Sequence, residues 1–349
     1  VAQVQPAADD ALVLSFDVPA PLRQAFSFEP GQWLTLRSML GGADVRRSYS
    51  ICAAPGEALR VGVRRVPGGE FSTWLHQHVR PGTVLDVMPP QGRFGAALAQ
   101  PALGRHVLLV AGGSGITPLL SIAKAVLAGE TGSRVTLLYG NRTMASTMFK
   151  DELDDLKSRW MTRLALHHVF SREGVDVPLH AGRLDSAKLV TLLRLAGPVR
   201  AGDEAFVCGP HALNDAAEAA LLAAGWAPQQ VHVERFGVPP SASDATLHAP
   251  QPGDVPAALV TIIRDGVTRV VPFISSDTSI LAAAARAGLD VPYSCRSGVC
   301  ATCRARLLEG QVRMDRNFSL EPAELQAGHV LTCQAHPLTA SVVLSFDER

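Results

Sequence analysis

The 349-residue sequence is poor in several things at once. Its 32 basic and 32 acidic residues cancel, so no bulk charge draws it to nucleic acid or to an anionic membrane. No apolar run approaches the ~20 residues a membrane-spanning helix needs. The opening stretch VAQVQPAADDALVL lacks a basic segment followed by an apolar one. A cytoplasmic location is expected. Only six cysteines are present, and in a reducing compartment a tight group of them points to metal or redox chemistry instead of a disulfide. Histidine supplies no second signal: His106, His167, His168 and His211 have no ligand spacing with carboxylates or one another, and read as packing or surface residues.

Against that scarcity, CRSGVCATC gathers Cys295, Cys300 and Cys303, and Cys333 follows in VLTCQAHP. The spacing Cys-x4-Cys-x2-Cys, then a distant cysteine, is the ligand pattern of a plant-type [2Fe–2S] cluster. Gly298 allows the loop to turn with positive φ, and Ser297, Ala301 and Thr302 are small enough to keep N–H groups near the sulfurs. Zinc is the alternative, but a zinc ribbon pairs Cys-x2-Cys with a second such pair and only one is present. The flanks agree with a ferredoxin-like module. AALVTIIRDGVTRVVPF alternates about an Asp265-Gly266 hairpin, and TSILAAAARAG reads as a helix stopped near Gly288. Arg296, Arg304 and Arg306 make the loop locally basic, as a solvated rim or as a docking face for an acidic partner.

A one-electron carrier needs a source, and a flavin that accepts hydride and releases single electrons is the usual device. Residues 104–237 alternate strand and helix patterns, predicting a doubly wound α/β domain. Its first turn, AGGSGITP, is glycine-rich without being G-x-G-x-x-G, and Thr117-Pro118 reads as a helix N-cap followed by proline. Residues 1–98 instead give short strand candidates broken by Pro and Gly, predicting an antiparallel β-barrel. Within it, RRSYS is read as a strand turning Arg47, Tyr49 and Ser50 in one direction, and GGEFSTWLHQHV as a helix start suited to an anion. Residues 238–256, rich in Pro, Ser, Ala and Gly, read as a linker to an α+β (β-grasp) ferredoxin domain over 257–349.

Together, Arg47-Ser48-Tyr49-Ser50, the turn from Gly112 to Pro118 and Cys208-Gly209-Pro210 resemble the motifs of the ferredoxin–NADP reductase superfamily. Through RRSYSIC, GNRTMASTMFKDEL, HVERF, CRSGVCATC and NFSLEPAEL the whole chain is similar to the reductase subunits of phenylacetyl-CoA epoxidase complexes. The resemblance implies FAD in the barrel, where the residues alone leave FMN open. Arg47 would neutralise its diphosphate, Tyr49 would stack on the ring, Ser50 would bond near the reactive nitrogen, and Ser48, Gly69, Phe71, Ser72 and Thr73 would complete the flavin site. Gly113, Gly115 and Thr117 would border the nicotinamide, with Cys208 and Gly209 beneath it and Phe236 nearby. Tyr49, Ser50, Thr117 and Cys208 are the residues it places at the reacting rings. Ser171 and Arg172, assisted by Arg142 and Arg183, would take a 2′-phosphate, which favours NADPH over NADH. The implied activity is NADPH-dependent transfer of single electrons through FAD and the cluster to a partner oxygenase. The implied partner is a di-iron phenylacetyl-CoA epoxidase of phenylacetate catabolism, and a reductase for ring- or steroid-hydroxylating oxygenases is the alternative. A non-enzymatic binding or redox-sensing module, with zinc in the cysteines and no flavin, is the alternative of another class.

Overall fold

Period-two alternation builds the first part of the chain. Strands β1 (Gln3–Ala8), β2 (Ala11–Ser15), β3 (Trp33–Leu40), β4 (Ala43–Ser50), β5 (Arg60–Arg64) and β6 (Asp86–Val87) form two antiparallel sheets, ordered β1-β2-β5 and β4-β3-β6. An Ile51–Val61 bridge joins them, and Leu14, Leu34, Leu36, Ile51 and Val61 fill the interior of this barrel. Helix α1 (Glu70–His78) closes it by burying Phe71 and Leu75. The computed structural model describes residues 1–238 and 248–348, in two compact units, Val1–Phe236 and Gly237–Arg349. Part of the predicted linker, residues 239–247, lies outside the described residues.

The rest of the first unit runs β7 (His106–Gly112), α2 (Ile116–Gly129), β8 (Arg134–Asn141), α3 (Lys150–Arg159), β9 (Leu164–Phe170), α4 (Ser186–Ala196), β10 (Glu204–Gly209), α5 (His211–Ala223) and β11 (Val231–Arg235). The five strands are parallel, ordered β11-β10-β7-β8-β9. Every residue of β7 is buried, because helices cover both faces of the sheet. Val107, Leu109 and Ala111 pack with α2 and α3 on one face. Leu108 and Val110 pack with α4 and α5 on the other.

Two helix starts differ from the sequence expectation. Thr117 does not cap α2: a 3-10 turn over Gly113–Gly115 leads into the helix at Ile116, and the Thr117 hydroxyl donates back to the Ser114 carbonyl at 3.0 Å. Pro118 therefore sits inside the first turn, where its missing N–H is still no loss. The pattern MFKDELDDLKSRW predicts a helix from Met148, but α3 begins at Lys150, because Phe149 takes a left-handed conformation (φ 59°) that buries its ring and bonds its N–H to the Ala7 carbonyl of the barrel at 3.2 Å. That bond belongs to a seam between barrel and sheet. Ser121 Oγ donates to the Ala53 carbonyl at 2.6 Å, Lys124 pairs with Glu57 at 2.9 Å, and Arg60 pairs with Glu152.

The second unit opens on β12 (Ala258–Arg264) and β13 (Val267–Phe273), joined by Asp265-Gly266 with both residues at positive φ (52° and 71°), the geometry a two-residue hairpin demands. Then come α6 (Ile280–Arg286), β14 (Arg304–Glu309), β15 (Val312–Met314), α7 (Pro322–Gln326), β16 (His329–Leu331), β17 (Ala335–Pro337) and β18 (Ser341–Ser345). The main sheet is ordered β13-β12-β18-β14-β16, with β12 and β18 parallel. Strands β15 and β17 form a separate antiparallel pair. Ser279 caps α6 by accepting from the Ala282 N–H at 3.2 Å, and Ile280, Leu281, Ala283 and Ala284 bury its inner face against the sheet.

A very close backbone approach lies where the chain passes from β7 into α2 beside β10. A Cβ on Gly115 would stand 2.0 Å from the Cys208 carbonyl oxygen, so glycine is required there. Gly115→Ala is expected to destabilise by about 2 kcal/mol or more, seen as a melting temperature lower by roughly 5 °C. Gly129→Ala, where an added Cβ meets nothing within 4 Å, should leave melting unchanged or raise it slightly.

Candidate active site and cluster loop

In a parallel sheet, ligands gather beyond the carboxyl ends of the strands at the point where the connection order reverses. Here that point is between β7, whose chain continues to β8, and β10 on its other side. Gly112-Gly113 and Cys208-Gly209 face each other across it, with a Gly209 Cβ position 3.0 Å from Gly112 Cα. Gly113 has φ 54° and its carbonyl accepts from the buried Tyr139 hydroxyl at 2.9 Å. The turn thus presents backbone without side chains at the start of α2, which suits a nucleotide diphosphate. Thr117 is buried, its methyl 2.7 Å from where a Cβ on Gly62 of the barrel would be.

Cys208 is wholly buried, paired in register with Ala111 on one side and Glu234 on the other. Burial pushes its thiol well up, with the neighbouring Glu234 adding to the effect. Glu234 itself is held up to about 8, because loss of water around the carboxyl outweighs the hydrogen bond from Ser50; Ser50 Oγ donates to Glu234 Oε2 at 3.5 Å. The barrel thereby delivers Ser50 to the same place as Cys208. The site places a hydroxyl, a protonated thiol and a protonated carboxyl side by side, groups able to donate hydrogen bonds without adding charge.

On β4 the strand period separates the predicted flavin residues. Tyr49 stacks on Phe71 (centroids 6.3 Å, 25°) inside the barrel, whereas Ser50 reaches Glu234. Arg47 and Tyr49 can share a direction, and Ser50, one residue on, takes the other; the expectation of all three on one side is corrected by the period itself. Arg47 is exposed, its guanidinium donating to the Arg46 carbonyl at 2.8 Å. Ser48 is taken up across the sheet, 3.2 Å from the Thr35 hydroxyl. Gly69 caps α1, and Ser72 Oγ accepts from the Val66 N–H at 3.1 Å, so that hydroxyl closes the loop. Phe71 is a core residue, with only its N–H at the helix start to offer, and the Thr73 N–H is bonded to the Gly69 carbonyl at 3.2 Å. The first N–H groups of α1 have no acceptor within the helix, and with the open approach at Gly68 they fit a flavin diphosphate.

At the opposite end of the sheet, Ser171 and Arg172 follow β9, their N–H groups bonded to the carbonyls of Asn141 (2.9 Å) and Arg142 (2.8 Å). Arg172 is exposed. The segment ahead of Arg183 is held alongside by the Gly182 N–H donating to the Phe170 carbonyl at 2.7 Å, so Arg183, also exposed, lies at this end. Arg142 is engaged elsewhere, bonding Asp10 at 2.9 Å. Phe236 is exposed just beyond β11.

In the second unit all four predicted ligands are free thiols. They fall into two pairs. Cys295 is drawn down by the hydrogen bond it shares with Cys300 and by the N–H groups of Ser297 and Val299, while Cys303 is pushed well up by Cys333 beside it. The Ser297 N–H points at Cys295 Sγ (3.4 Å) and the Gln334 amide at Cys333 Sγ (3.5 Å). Four thiols in two pairs, each already ringed by N–H donors, fit two irons and two sulfides better than one tetrahedral zinc. The loop needs more than the expected turn at Gly298 (φ 80°): Arg296 (56°) and Ala301 (50°) are also left-handed. The basic character expected of the loop is largely cancelled, since Arg304 pairs with Glu324, Arg306 with Glu348 at 2.6 Å, and Arg296 lies 4.3 Å over the Tyr293 ring.

Family models agree with these three sites. An oxidoreductase FAD-binding domain matches residues 1–95, an oxidoreductase NAD-binding domain 109–219, and a 2Fe-2S iron-sulfur cluster binding domain 262–338. The chain belongs to the ferredoxin–NADP reductase superfamily, in the branch of oxygenase reductase components that carry a C-terminal plant-type ferredoxin domain. Within it, the chain is 45% identical to a subunit of the 1,2-phenylacetyl-CoA epoxidase of Escherichia coli, over 100% of this chain and 97% of that protein. It is 37% identical to the ferredoxin reductase component of 3-ketosteroid-9-alpha-monooxygenase of Mycobacterium tuberculosis, over 100% and 95%. Among solved structures it is similar to phthalate dioxygenase reductase, 25% identical with TM-score 0.60, covering 99% and 96% of the two chains. It is an oxidoreductase of the electron-transfer class, with FAD, NAD(P) and [2Fe–2S] sites. No helix among the described residues is long and apolar enough to cross a membrane.

The residue at this meeting point that sequence reasoning missed is Glu234. In HVERF it reads as a polar residue on an edge strand, and nothing in the alternation signals that a hydroxyl from the barrel meets it. Its raised carboxyl predicts a pH effect. The unfolded chain loses this proton near 4.5, the folded one near 8, so the folded state binds more protons between those values and stability from this group is lost as pH rises through that window. Thermal melting of the flavin-loaded protein at a series of pH values from about 5 to about 8 should show that decline, and Glu234→Gln should flatten it. An unchanged slope would mean the carboxyl is hydrated.

Proposed function

We propose that the chain uses NADPH and serves the reductase role for a phenylacetyl-CoA epoxidase. The working parts are read as a flavin barrel over 1–98, a nucleotide domain over 104–237, a tether over 238–256 and a ferredoxin domain over 257–349. A bound flavin accepts hydride and gives up electrons singly, and the cluster carries them one at a time. The chain's own contribution is placement. Arg47 and the start of α1 hold the flavin diphosphate, with Gly69, Ser72 and Thr73 shaping that start and Ser48 and Phe71 supporting it. Tyr49 stacks on the flavin ring. Ser50 and Glu234 meet the reacting edge, and Cys208 and Gly209 form the floor on which the nicotinamide lies, bordered by Gly113, Gly115 and Thr117. Ser50, Cys208 and the protonated Glu234 carry no charge at that meeting point, so these groups hold back neither the nicotinamide cation nor the neutral reduced ring.

The preference for NADPH is carried by Arg172. It is an exposed guanidinium beside Ser171 at the far end of the sheet, and no carboxylate among the described residues forms an ion pair with it. Arg183 supports it from the neighbouring segment. Arg142, committed to Asp10, contributes less than the sequence implies. Arg172→Ala is expected to lower kcat/KM for NADPH by about tenfold or more, equivalent to one charge-assisted contact, while NADH turnover stays within about twofold. Equal losses with both cofactors would remove the 2′-phosphate role.

The epoxidase reading is supported by the 45% full-length identity to a subunit of that enzyme. The 37% identity to a ketosteroid monooxygenase component favours a second acceptor class. Reconstitution with each oxygenase, scored by product per NADPH consumed, separates them: coupled turnover with the epoxidase alone is expected. Cys303→Ser should abolish cluster absorption and coupled turnover while a dye that takes electrons directly from flavin is still reduced. Loss of dye reduction in a folded variant would refute the modular path.

A further inference from the structure

One trio of side chains in the second unit has no part in the electron path. His248 Nδ1 and His336 Nε2 each lie 2.8 Å from the same oxygen, Oδ2 of Asp315, and the three atoms are all within 4.8 Å of one another. They come from separate stretches: His248 from the turn ahead of β12, Asp315 from the residue after β15, and His336 from the middle of β17, in register with Arg313. Asp315 and His336 are nearly buried, His248 partly so.

Arg313 organises the group. It bonds the other oxygen of Asp315, and its second nitrogen bonds Asp254 Oδ2 at 2.6 Å. The guanidinium therefore fixes the carboxylate plane and leaves Oδ2 facing the two imidazoles. Asp254 and Asp315 are matched in charge by Arg313 and the nearby Arg316, so it is the donor atoms and their spacing, not a net charge, that suit a cation here. Two imidazole nitrogens and one carboxylate oxygen are a donor set that suits Zn²⁺, with water in the fourth position. Tetrahedral zinc with bonds near 2.0–2.1 Å spaces its ligand atoms about 3.3 Å apart, which lies between the 2.8 Å contacts and the 4.8 Å limit found here.

We propose that His248, Asp315 and His336 form a Zn²⁺ site that fastens the start of the second unit to its β15–β17 pair, with Arg313 as the positioning residue. The site is separate from the four cysteines and does not depend on the electron acceptor. Sequence spacing gave no sign of it, because the two histidines are far apart in the chain and only the fold joins them.

The test uses tag-free holoprotein with flavin and cluster loaded, equilibrated with micromolar Zn²⁺, desalted, and assayed for zinc and iron together. One zinc per two irons is expected in the parent, falling at least tenfold in His248→Gln and in His336→Gln, with cluster absorption retained. His248→Gln, at the margin of the unit, keeps the test readable should His336→Gln lose its cluster. Co²⁺ should give tetrahedral bands without thiolate charge transfer in the parent and none in the variants. Failure of the parent to retain zinc, or equal zinc in parent and His248→Gln, would overturn the proposal and leave the trio as a hydrogen-bonded clamp.

Discussion

The close approach of two strand ends at the reversal point of the parallel sheet constrains everything around it. Gly115 gives up a side chain so that α2 can lie against the Cys208 carbonyl. That contact sets how far β10 stands from the glycine turn, and therefore where the Cys208 thiol and its neighbour Glu234 sit. Ser50 then completes the group from the barrel. A single packing contact between backbones thus fixes side chains contributed by two differently folded parts.

Desolvation, more than specific pairing, gives that spot its character. Loss of water raises the Cys208 thiol well above its ordinary value and the Glu234 carboxyl to about 8. Elsewhere the chain matches its charges internally. Arg304, Arg306 and Arg142 each have an acidic partner, which leaves Arg172 and Arg183 as exposed cations at the end of the sheet. That contrast is what the proposed 2′-phosphate role of Arg172 draws on.

Much of this was legible beforehand, because it rests on spacing. The cysteine pattern, the Asp265-Gly266 hairpin and the buried β7 run are local signals, and each appears where the pattern puts it. What the sequence hid was relational. The strand period sets Ser50 opposite Tyr49, against the expectation of one shared direction, and which face meets the nucleotide sheet depends on the barrel's docking. Arg142 looked available until Asp10, far away in the chain, proved to hold it. Thr117-Pro118 looked like a cap because a cap and a first-turn threonine share the same letters; the preceding 3-10 turn decides between them. Glu234 shows the limit most clearly, since its state is set by water excluded through residues from another part of the chain.

The seam between barrel and nucleotide sheet has a consequence for how such proteins diversify. Ser121 to Ala53, Lys124 to Glu57, Arg60 to Glu152 and Phe149 to Ala7 tie residues from opposite sides of the recognisable module border. A recombination event that exchanged the nucleotide module for a relative's would therefore separate partners whose charges and bonds were selected together. The heritable unit of the first part of this chain is the barrel and sheet as one piece, and only a border without such ties offers a junction where modules can be shuffled without repair.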